Sequence, residues 1–468
     1  MRFFKLLTVI ISLAFISCKD ADPRPNIILI MTDDLGWYDI GFNGNSEIQT
    51  PALDNLASQG LIFDRFYSAS TVCSPTRASV LTGRHPNRLK IYGANTGHML
   101  HEELTLPEIL KEQGYSTGHF GKWHLGTFTK TEKDANRGGR PKFEEHYTIP
   151  TEHGYDSFFA TESKVPTFDP MIKPDSFATN ESLRYGWKAI ENRSSKNYGT
   201  AYWEAEHVKA TENLDGDNSK VIVDRVIPFI EKSVESQKPF FSTVWFHTPH
   251  LPVVADAEHR EMFSQLDLQK QLYYGTIKAM DEQIGRLWET LEAQGIADET
   301  IIFFSSDNGP ERQTPGSAEP FRGRKRDLYE GGVRVPGFVV WKNTIKAGRT
   351  SYPSVTSDYL PTILDIMNLE YTEDHPIDGI SIWNDIQKKE TNRNSGIGFL
   401  YGKKKSWVTD SHKLISTDGE NYELYNLLED PSETNNIIQE NSEIGEQMKL
   451  DLNNWIESVS KSEQGLDY

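Results

Sequence analysis

Cysteine is scarce in this chain of 468 residues, which contains only Cys18 and Cys73. Cys73 therefore has no disulfide partner if Cys18 is used elsewhere. Basic residues are also few: the chain has 49 basic and 68 acidic residues, and its formal charge is −19. This balance argues against nucleic acid as a partner, because nothing supplies a broad basic face. An anionic substrate would need a local positive pocket to overcome the field of the whole protein.

The apolar run near the N-terminus, residues 6–16, is too short to span a bilayer and has the length of a signal segment. Ser17-Cys18 and a polar stretch follow, an order that resembles a bacterial lipoprotein signal. Residues 1–22 are predicted to be a signal and tether, with Cys18 lipidated and inserted in the membrane. Plain secretion with removal of Cys18 is the alternative. The predicted location is the outer membrane or the cell surface, with the periplasm as second choice.

The chain contains neither internal repeats nor low-complexity tracts, and its length suits one large domain and a smaller one. Apolar runs of strand length alternate with amphipathic stretches, a pattern typical of a parallel sheet covered on both faces. We predict an α/β fold over residues 23–393, with a large mixed, mainly parallel sheet and helices on both faces. Residues 394–468 are predicted to form a small α+β C-terminal subdomain. The predicted strands are 25–31, 61–67, one ending at about 118–122, 239–246, 300–306 and 338–341; the predicted helices are 51–60, 106–114, 221–231, 266–293, 359–367 and 448–459.

Cys73 lies among polar, turn-forming residues and not in an apolar run. Pro75 suits the first turn of a helix, so Cys73 is predicted to lie at a helix N-terminus, the end that favours an anion. Arg77 falls on the same helical face. In an exported protein this lone thiol is either a reagent or a buried structural cysteine, and the stretch alone leaves both possibilities open.

Acids, amides, histidines and a lysine follow four of the predicted strands. In open α/β sheets, ligands gather at the carboxyl ends of the strands. Asp33 and Asp34 would repel each other there unless a cation lies between them, and a hard divalent cation is the simplest answer. A solvated turn is the alternative. The other residues at strand ends are Lys122, His124, His247, His250, Asp307 and Asn308.

Two further patterns add positive charge. Lys122 and His124 alternate, so on an extended backbone they face the same side, one supplying fixed charge and the other proton transfer. The stretch 321–332 is a basic island, which includes Lys325, in an acidic protein. Each pattern would be an ordinary solvated surface feature if it stood alone.

Residues 127–218 are predicted to be a long, loop-like and aromatic-rich insertion that forms one wall of a substrate cleft. Trp187, Tyr202 and Trp203 are candidate platforms for stacking against a sugar. The alternative is that these rings pack the insertion onto the core.

Six motifs occur in an order that resembles the catalytic domain of the type I, formylglycine-dependent sulfatases of the alkaline phosphatase-like superfamily. The resemblance covers residues from about 25 to 375. The motifs are Asp33-Asp34, Cys73-x-Pro75-x-Arg77, Gly121-Lys122-Trp123-His124, His250-x-Pro252, Asp307-Asn308-Gly309, and Lys325 ahead of Glu330-Gly331-Gly332.

The resemblance implies a role for each motif. Cys73 is expected to be oxidised to formylglycine by a formylglycine-generating enzyme. One Ca²⁺ would be held by oxygen ligands, which are Asp33, Asp34, Asp307, Asn308 and the modified Cys73. Sulfate binding and proton transfer would be shared by Arg77, Lys122, His124, His250 and Lys325.

The chemistry that the resemblance implies uses a hydrated aldehyde with two hydroxyl groups. One attacks sulfur, and the second later loses its proton so that sulfate is expelled. His250 or Lys325 would protonate the leaving alcohol, and His124 would act as base. Arg77, Lys122 and Lys325 would offset charge on the sulfuryl oxygens.

We therefore expect a sulfatase for sulfated carbohydrates, with ulvan or carrageenan oligosaccharides from algal polysaccharides as candidates. A phosphonate or phosphodiester hydrolase of the same superfamily is the nearest alternative. A lipid-anchored glycan-binding protein on an inactive fold is the alternative from another class, although none of the catalytic motifs is missing.

Overall fold

A mixed sheet of ten strands lies at the centre of the part of the chain that the structure describes. The structure is a computed structural model, and it describes residues 24–173, 197–372, 375–388, 392–393 and 395–467. The predicted signal and tether (1–22) and Trp187 lie outside these ranges. The strands are β1 Asn26–Thr32, β2 Leu61–Phe63, β3 Phe66–Tyr67, β4 Ser116–Lys122, β5 Ser157–Thr161, β6 Trp203–Ala205, β7 Val208–Lys209, β8 Phe240–Trp245, β9 Thr300–Ser306, β10 Arg334–Val335, β11 Gly337–Val340, β12 Gly348–Thr350, β13 Ser354–Val355, β14 Ile397–Tyr401, β15 Lys404–Val408, β16 His412–Ser416 and β17 Glu423–Asn426.

The order of strands in the central sheet is β12-β2-β11-β9-β1-β8-β4-β5-β6-β7. The middle strands β9, β1, β8, β4 and β5 are parallel, whereas β11 and β6 join them in the antiparallel sense. Every residue of β1 is buried, because both faces of the parallel strands are covered. The predicted mixed, mainly parallel sheet is confirmed.

Helices cover both faces of this sheet. Leu29 packs with the helices 73–82, 106–112 and 359–366 on one face, and Ile30 packs with the helices 51–59, 218–235 and 268–293 on the other. Fully burying one such side chain stabilises the fold by about 1.5–3 kcal/mol. The helices are α1 Pro51–Gln59, α2 Cys73–Thr82, α3 Leu106–Glu112, α4 Asn218–Glu235, α5 Ala257–Glu261, α6 Leu268–Ala293, α7 Glu330–Val333, α8 Tyr359–Ile366, α9 Trp383–Lys388 and α10 Ser442–Glu463.

The region 127–218 is less loop-like than the sequence predicts. Strand β5 lies inside the central sheet, paired with β4, and β6 and β7 extend the sheet beyond it. The prediction is wrong here because Phe158 and Phe159 pack on opposite faces of the sheet, so no alternation of apolar and polar residues marks the strand.

The single strand predicted for 61–67 is two strands in different sheets. β2 joins the central sheet, whereas β3 forms a small second sheet with β10 and β13. The chain turns at Asp64-Arg65, where the Arg65 guanidinium donates to the Thr409 carbonyl oxygen at 2.9 Å. Because the buried Arg65 guanidinium needs this hydrogen-bond partner, the contact favours a path of the chain that leaves the central sheet after β2.

Strands β14 to β17 form a separate antiparallel sheet at the C-terminal end. Leu414 and Leu424 of this sheet pack against Leu452 of α10. The predicted small subdomain of strands and a helix is present, while its boundary at residue 394 stays a prediction. Among the described helices, none combines the length and apolar composition needed to cross a membrane.

Candidate active site

The carboxyl ends of the parallel strands bring the predicted site residues to one edge of the sheet. β1 leads into Asp33, β4 ends at Lys122, β8 is followed by the turn that carries His250, and β9 leads into Asp307. This edge is where ligands bind in open α/β sheets.

Cys73 is the first residue of α2, as predicted, and only 2% of it is exposed. Its free Sγ lies within 4.8 Å of carboxylate oxygens of Asp33 and Asp307. Ser74 Oγ donates to the carbonyl oxygen of His124 at 2.5 Å, which ties the start of the helix to the next motif. Burial raises the pKa of the Cys73 thiol. The cysteine is therefore buried among charged groups and not in an apolar core.

Two lysines pair with the adjacent carboxylates that follow β1. Lys122 Nζ lies 2.6 Å from Asp33 Oδ2, and Lys325 Nζ lies 2.5 Å from Asp34 Oδ1. Both carboxylates are buried, so the alternative of a solvated turn is wrong. Burial opposes the charged form of Asp33, but Lys122 and other cations outweigh it and hold its pKa well below the ordinary value.

The backbone at Asp34 is in the left-handed region, with φ of 68°. Residues with side chains rarely adopt this conformation, and such strain concentrates at functional sites. The Asp34 N–H donates to Asp307 Oδ1 at 3.2 Å, so the turn after β1 is tied to the turn after β9.

Arg77 organises the centre of the site from behind. Its Nη2 and Nε donate to Asp307 Oδ2 at 2.6 and 3.1 Å, and its Nη1 donates to the Lys122 carbonyl oxygen at 3.0 Å. The guanidinium lies over the Trp245 ring, 5.2 Å from the centroid. Arg77 is fully buried and is not among the residues that line the cavity described below.

Three oxygens in this cluster are buried and have no hydrogen-bond partner in the described part of the chain: Asp33 Oδ1, Asp34 Oδ2 and Asn308 Oδ1. Burying such atoms without a partner is costly, and a bound cation would satisfy them. Carboxylate and amide oxygens are the ligands that hard divalent cations prefer. The residues present therefore fit a hard divalent cation.

The charge balance supports the same assignment. Three carboxylates (Asp33, Asp34 and Asp307) face three fixed cations (Arg77, Lys122 and Lys325), so the protein groups alone cancel. Burial and the neighbouring Asp33 raise the pKa of Asp307 to about 7, which reflects carboxylates crowded in one space. A divalent cation would relieve this crowding and leave a net positive site for an anionic substrate.

His124 is held in one tautomer by Asn95. His124 Nε2 donates to Asn95 Oδ1 at 3.1 Å, while its buried Nδ1 has no hydrogen-bond partner among the residues that the structure describes. Burial keeps the pKa of His124 well below its ordinary value. The prediction of an extended backbone here is wrong, because His124 has φ of 59°; Lys122 and His124 nonetheless both reach the cavity.

The two histidines after β8 differ in position. His247 Nε2 lies 2.8 Å from Thr161 Oγ1 inside the fold, whereas His250 lines the cavity and its Nε2 lies 3.6 Å from Asp34 Oδ2. His250 Nδ1 donates to the Leu251 carbonyl oxygen at 2.5 Å. His250 is thus the one of the pair that faces the site, as predicted.

The loop that carries Lys325 is held from two sides. The Lys325 and Arg326 N–H groups donate to the carbonyl oxygens of Pro310 and Thr71. Lys404 of β15 donates to the Arg326 carbonyl oxygen at 2.7 Å. The C-terminal subdomain therefore helps to fix the position of Lys325.

A cavity of about 880 Å³ opens above these groups. Its wall includes five of the predicted residues and several that the sequence did not single out. The predicted ones are Cys73, Lys122, His124, His250 and Lys325, and the additional ones include Tyr92, Asn95, Asn136, Ser163, Lys164, Tyr198, Glu311, Gln313, Arg326 and Tyr401.

Two family models match this chain. The model described as Sulfatase matches residues 25–369. The chain belongs to the sulfatase family. A second model, described as N-sulphoglucosamine sulphohydrolase, C-terminal, matches residues 323–459 of this sulfatase.

Individual relatives agree with this assignment. N-acetylgalactosamine-6-sulfatase of Mus musculus is 31% identical over 396 residues, which cover 81% of this chain and 69% of the relative. Steryl-sulfatase of Rattus norvegicus is 28% identical over 418 residues, covering 80% and 72%. The crystal structure of Ps i-CgsB in complex with k-i-k-neocarrahexaose matches with a TM-score of 0.77 and 26% identity, over 92% of each chain.

This sulfatase is accordingly a sulfuric ester hydrolase with the alkaline phosphatase-like fold, and the predicted enzyme class is confirmed. Members of the family generally use a formylglycine and a metal ion. The described carboxylates of this sulfatase could hold a metal.

Two of the aromatic platforms predicted for this sulfatase belong to its core. Tyr202 is buried and stacks on Phe159, with ring centroids 4.1 Å apart. Trp203 is also buried, and its Nε1 donates to Asp134 Oδ2 at 2.8 Å. The expectation that these two rings stack against substrate is wrong, and the alternative of core packing holds. In the described part of the chain, the tyrosine rings that line the cavity are Tyr92, Tyr198 and Tyr401.

Proposed function

We propose that this sulfatase removes sulfate from sulfated sugars, using a formylglycine made from Cys73 and one calcium ion. The observation that carries the proposal is the set of buried, partnerless oxygens of Asp33, Asp34 and Asn308 beside Cys73. These oxygens with Asp307 would hold the cation, with Cys73 as a further ligand once a formylglycine-generating enzyme has modified it. When bound, the cation supplies Lewis acidity and the formylglycine supplies a nucleophilic hydroxyl.

The lysines bind and orient the sulfuryl group. Lys122 and Lys325 line the cavity, and their ammonium groups are fixed by Asp33 and Asp34. Preorganised charges of this kind stabilise the charge that develops on the oxygens in the transition state. Arg77 acts by holding Asp307 and the Lys122 carbonyl group in place, and so is a positioning residue.

His124 acts as the base. It accepts the proton that must be lost before sulfate is released. Its Nε2–H is engaged by Asn95, so the lone pair of its partnerless Nδ1 accepts a proton. On the other side of the site, His250 or Lys325 gives a proton to the leaving alcohol. Burial opposes the charged form of Lys325, but Asp34 outweighs it and raises its pKa, so the ammonium group holds its proton at neutral pH.

Replacing each candidate acid by alanine tests this assignment. Loss of the true acid should slow hydrolysis of a sulfated sugar much more than hydrolysis of p-nitrophenyl sulfate. The reason is that the sugar has a poor leaving alcohol, whereas p-nitrophenol is a good leaving group. A variant that slows both substrates equally has lost binding or charge stabilisation instead.

The cavity supports a sugar as substrate. Its wall is rich in amides, lysines and tyrosines, which suit hydroxyl groups, whereas a sterol would need a mainly apolar wall. The relatives named for N-acetylgalactosamine-6-sulfatase and the structure holding k-i-k-neocarrahexaose favour the same class. The proposed substrates are algal oligosaccharides of the ulvan or carrageenan type.

Two comparisons test the function. Protein made with a formylglycine-generating enzyme is assayed on the sulfate and phosphate esters of one alcohol; a preference for phosphate would favour a phosphonate or phosphodiester hydrolase. The same protein is then assayed on defined sulfated oligosaccharides, and we expect desulfation of at least one of them. Binding of these sugars without turnover would favour the glycan-binding alternative.

We also propose export and a lipid anchor on Cys18. The proposal rests on the apolar run 6–16 and the Ser17-Cys18 pair that ends it. Detergent phase partition of the native and Cys18→Ala proteins tests it: the native protein should enter the detergent phase and the variant should not.

A further inference from the structure

Lys164 stands out among the cavity residues because its charge is not compensated. It follows β5, is half-buried, and lines the cavity together with Lys122 and Lys325. Among the described residues, no hydrogen bond or ion pair engages its ammonium group. Burial of an ammonium group without a partner is unfavourable, so a lysine of this kind is suited to an anion that arrives from outside.

The other lysines and the arginine on the cavity wall are paired, as far as the described residues extend. Lys122 pairs with Asp33 and Lys325 with Asp34. Arg326 binds Glu311 through both carboxylate oxygens, at 2.8 and 2.9 Å. The wall near Arg326 is therefore locally neutral, and the uncompensated positive charge lies on the wall that Lys164 occupies.

Neutral hydrogen-bond donors lie beside Lys164 on the same wall. Asn136 Nδ2 donates to Ser163 Oγ at 3.4 Å, and both residues line the cavity. Within the described ranges, the second N–H of Asn136 and the hydroxyl hydrogen of Ser163 have no other partner and are left to meet a ligand. The nearest acid in sequence, Glu162, does not neutralise this wall, because it is buried against Arg137 and the Gly138 N–H group.

Lys122 and Lys325 also disfavour the charge of Lys164. Burial, and then Lys122 and Lys325, lower the pKa of Lys164. A second negative group beside Lys164 would relieve this repulsion, whereas the scissile sulfate faces the paired lysines and Cys73.

We propose that Lys164, Asn136 and Ser163 form a subsite for a second anionic group on the substrate. That group is a second sulfate ester or a carboxylate of the same oligosaccharide. The inference rests on the proposed function, because it presumes a sulfated sugar in the cavity. It predicts that the preferred substrates carry at least two negative charges.

Affinity measurements on a non-turning-over protein test the subsite. Calorimetry with the Cys73→Ala protein in calcium compares the 6-sulfates of galactose, N-acetylgalactosamine and glucosamine with the corresponding disulfates. A disaccharide that joins glucuronate to N-acetylgalactosamine 6-sulfate tests the carboxylate as the second anion. Adding Lys164→Met to the Cys73→Ala protein should weaken binding of the doubly charged ligands about 10- to 100-fold. Binding of the singly charged ligands should weaken less than about 2-fold.

Two variants control for charge and folding. Lys403 is exposed at the turn between β14 and β15 and is not part of the cavity wall, so Lys403→Met removes the same charge nearby and should change neither class of ligand. Lys164→Arg should restore most of the affinity for doubly charged ligands. A thermal melt checks that each variant folds.

The outcomes separate the subsite from the proposed function. Equal losses for singly and doubly charged sugars would place Lys164 on the scissile sulfate and overturn the subsite, and so would the absence of any loss. If the Cys73→Ala protein binds none of these sugars and none of the defined sulfated oligosaccharides used to test the proposed function, the proposed function is overturned, and the subsite with it.

Discussion

Arg77 and Asp307 form a fully buried ion pair beneath the candidate site, with Arg77 Nη2 2.6 Å from Asp307 Oδ2. Arg77 also donates to the carbonyl oxygen of Lys122, so one side chain joins α2, β4 and the turn after β9. The arginine of the Cys-x-Pro-x-Arg motif therefore acts on the carboxylate cluster from behind.

Arg77→Lys should keep the charge but lose the two-point contact with Asp307 and the bond to the Lys122 carbonyl group. We expect kcat/KM on a sulfated substrate to fall about 100- to 1000-fold and the free energy of unfolding to fall by about 1–3 kcal/mol. Kinetics and urea unfolding measure both. Arg286→Lys, at a partly exposed pair with Asp224, is the matched control and should change unfolding by less than about 1 kcal/mol. Kinetics of the Arg77→Lys enzyme equal to those of the native enzyme would contradict the positioning role.

Removing the cation should lower both activity and thermal stability. At a calcium concentration 100 times its dissociation constant, binding stabilises the folded state by about 2.7 kcal/mol. Chelation should therefore lower the melting temperature of the native protein, and returned calcium should restore it. Asp33→Asn should abolish this response.

Asp281→Asn is the control for the metal experiment. Asp281 is a buried carboxylate that accepts from the Leu53 N–H group at 2.8 Å, away from the site, so its variant should keep the full response to calcium. A metal-free native protein whose melting temperature does not change when calcium is added would rule out the proposed cation.

The sequence predicts those parts of the site whose chemistry requires a recognisable local pattern of residues. The acid pair after β1 and the Cys-x-Pro-x-Arg motif combine residue type with position at a strand or helix end, and the structure brings these residues together. Asn95, Ser163 and Lys164 lie in polar turns of ordinary composition, and their presence in the cavity follows from chain folding between distant segments. Nothing in their local pattern marks them.

The errors in predicting the fold have the same origin. Strand β5 is short and apolar on both faces, and the aromatic residues near it are spaced as they would be in a loop. Tyr202 and Trp203 are candidates for sugar binding by residue type alone, but burial against Phe159 and the bond to Asp134 decide their role. Residue type shows what a side chain is able to bind, and its packing and hydrogen bonds in the folded chain decide what it does bind.

His259 should make stability depend on pH. His259 Nδ1 lies 2.7 Å from Asp256 Oδ2, and its Nε2 lies 3.2 Å from Glu282 Oε2. The hydrogen bond to Asp256 is the main cause that raises the pKa of His259 to about 9. Protonation therefore favours the folded state, so this contribution is complete below about pH 6.5 and is lost as the pH rises through about 9.

The full shift corresponds to about 3 kcal/mol, but solvent at the partly exposed Glu282 screens the pair, and we expect about 1–2 kcal/mol. Urea unfolding of the native and His259→Gln proteins should differ by this amount near about pH 6 and converge above about pH 9. His207→Gln, at an exposed histidine, should match the native protein throughout. A difference that grows with pH would refute the assignment.

Lys413 should couple the C-terminal subdomain to the loop that carries Lys325. Its buried Nζ lies 3.0 Å from Glu330 Oε1 and 3.2 Å from Glu433 Oε1. Lys413→Met leaves Glu433 without its cation and leaves Glu330 with Arg334 Nη1, at 3.2 Å, as its remaining ion-pair partner. We therefore expect the free energy of unfolding to fall by about 3–5 kcal/mol. Because Glu330 lies five residues after Lys325, kcat should fall as well.

A second substitution separates the charge effect from a packing effect. Adding Glu433→Gln to Lys413→Met removes the like-charge repulsion and should recover part of the lost stability. Lys405→Met, on the neighbouring strand, should leave both stability and kcat near the native values. Full activity of the Lys413→Met protein would show that the subdomain does not position the loop.

The chemical state of Cys73 is the most direct test of the account. Preparations made with increasing amounts of a formylglycine-generating enzyme are digested with trypsin, and the mass of the Phe66–Arg77 peptide gives the fraction in which an aldehyde has replaced the thiol. We predict that kcat on a sulfate ester rises in proportion to this fraction and is zero when the peptide contains only the thiol. Turnover at the full rate by protein in which every Cys73 is a thiol would contradict the account.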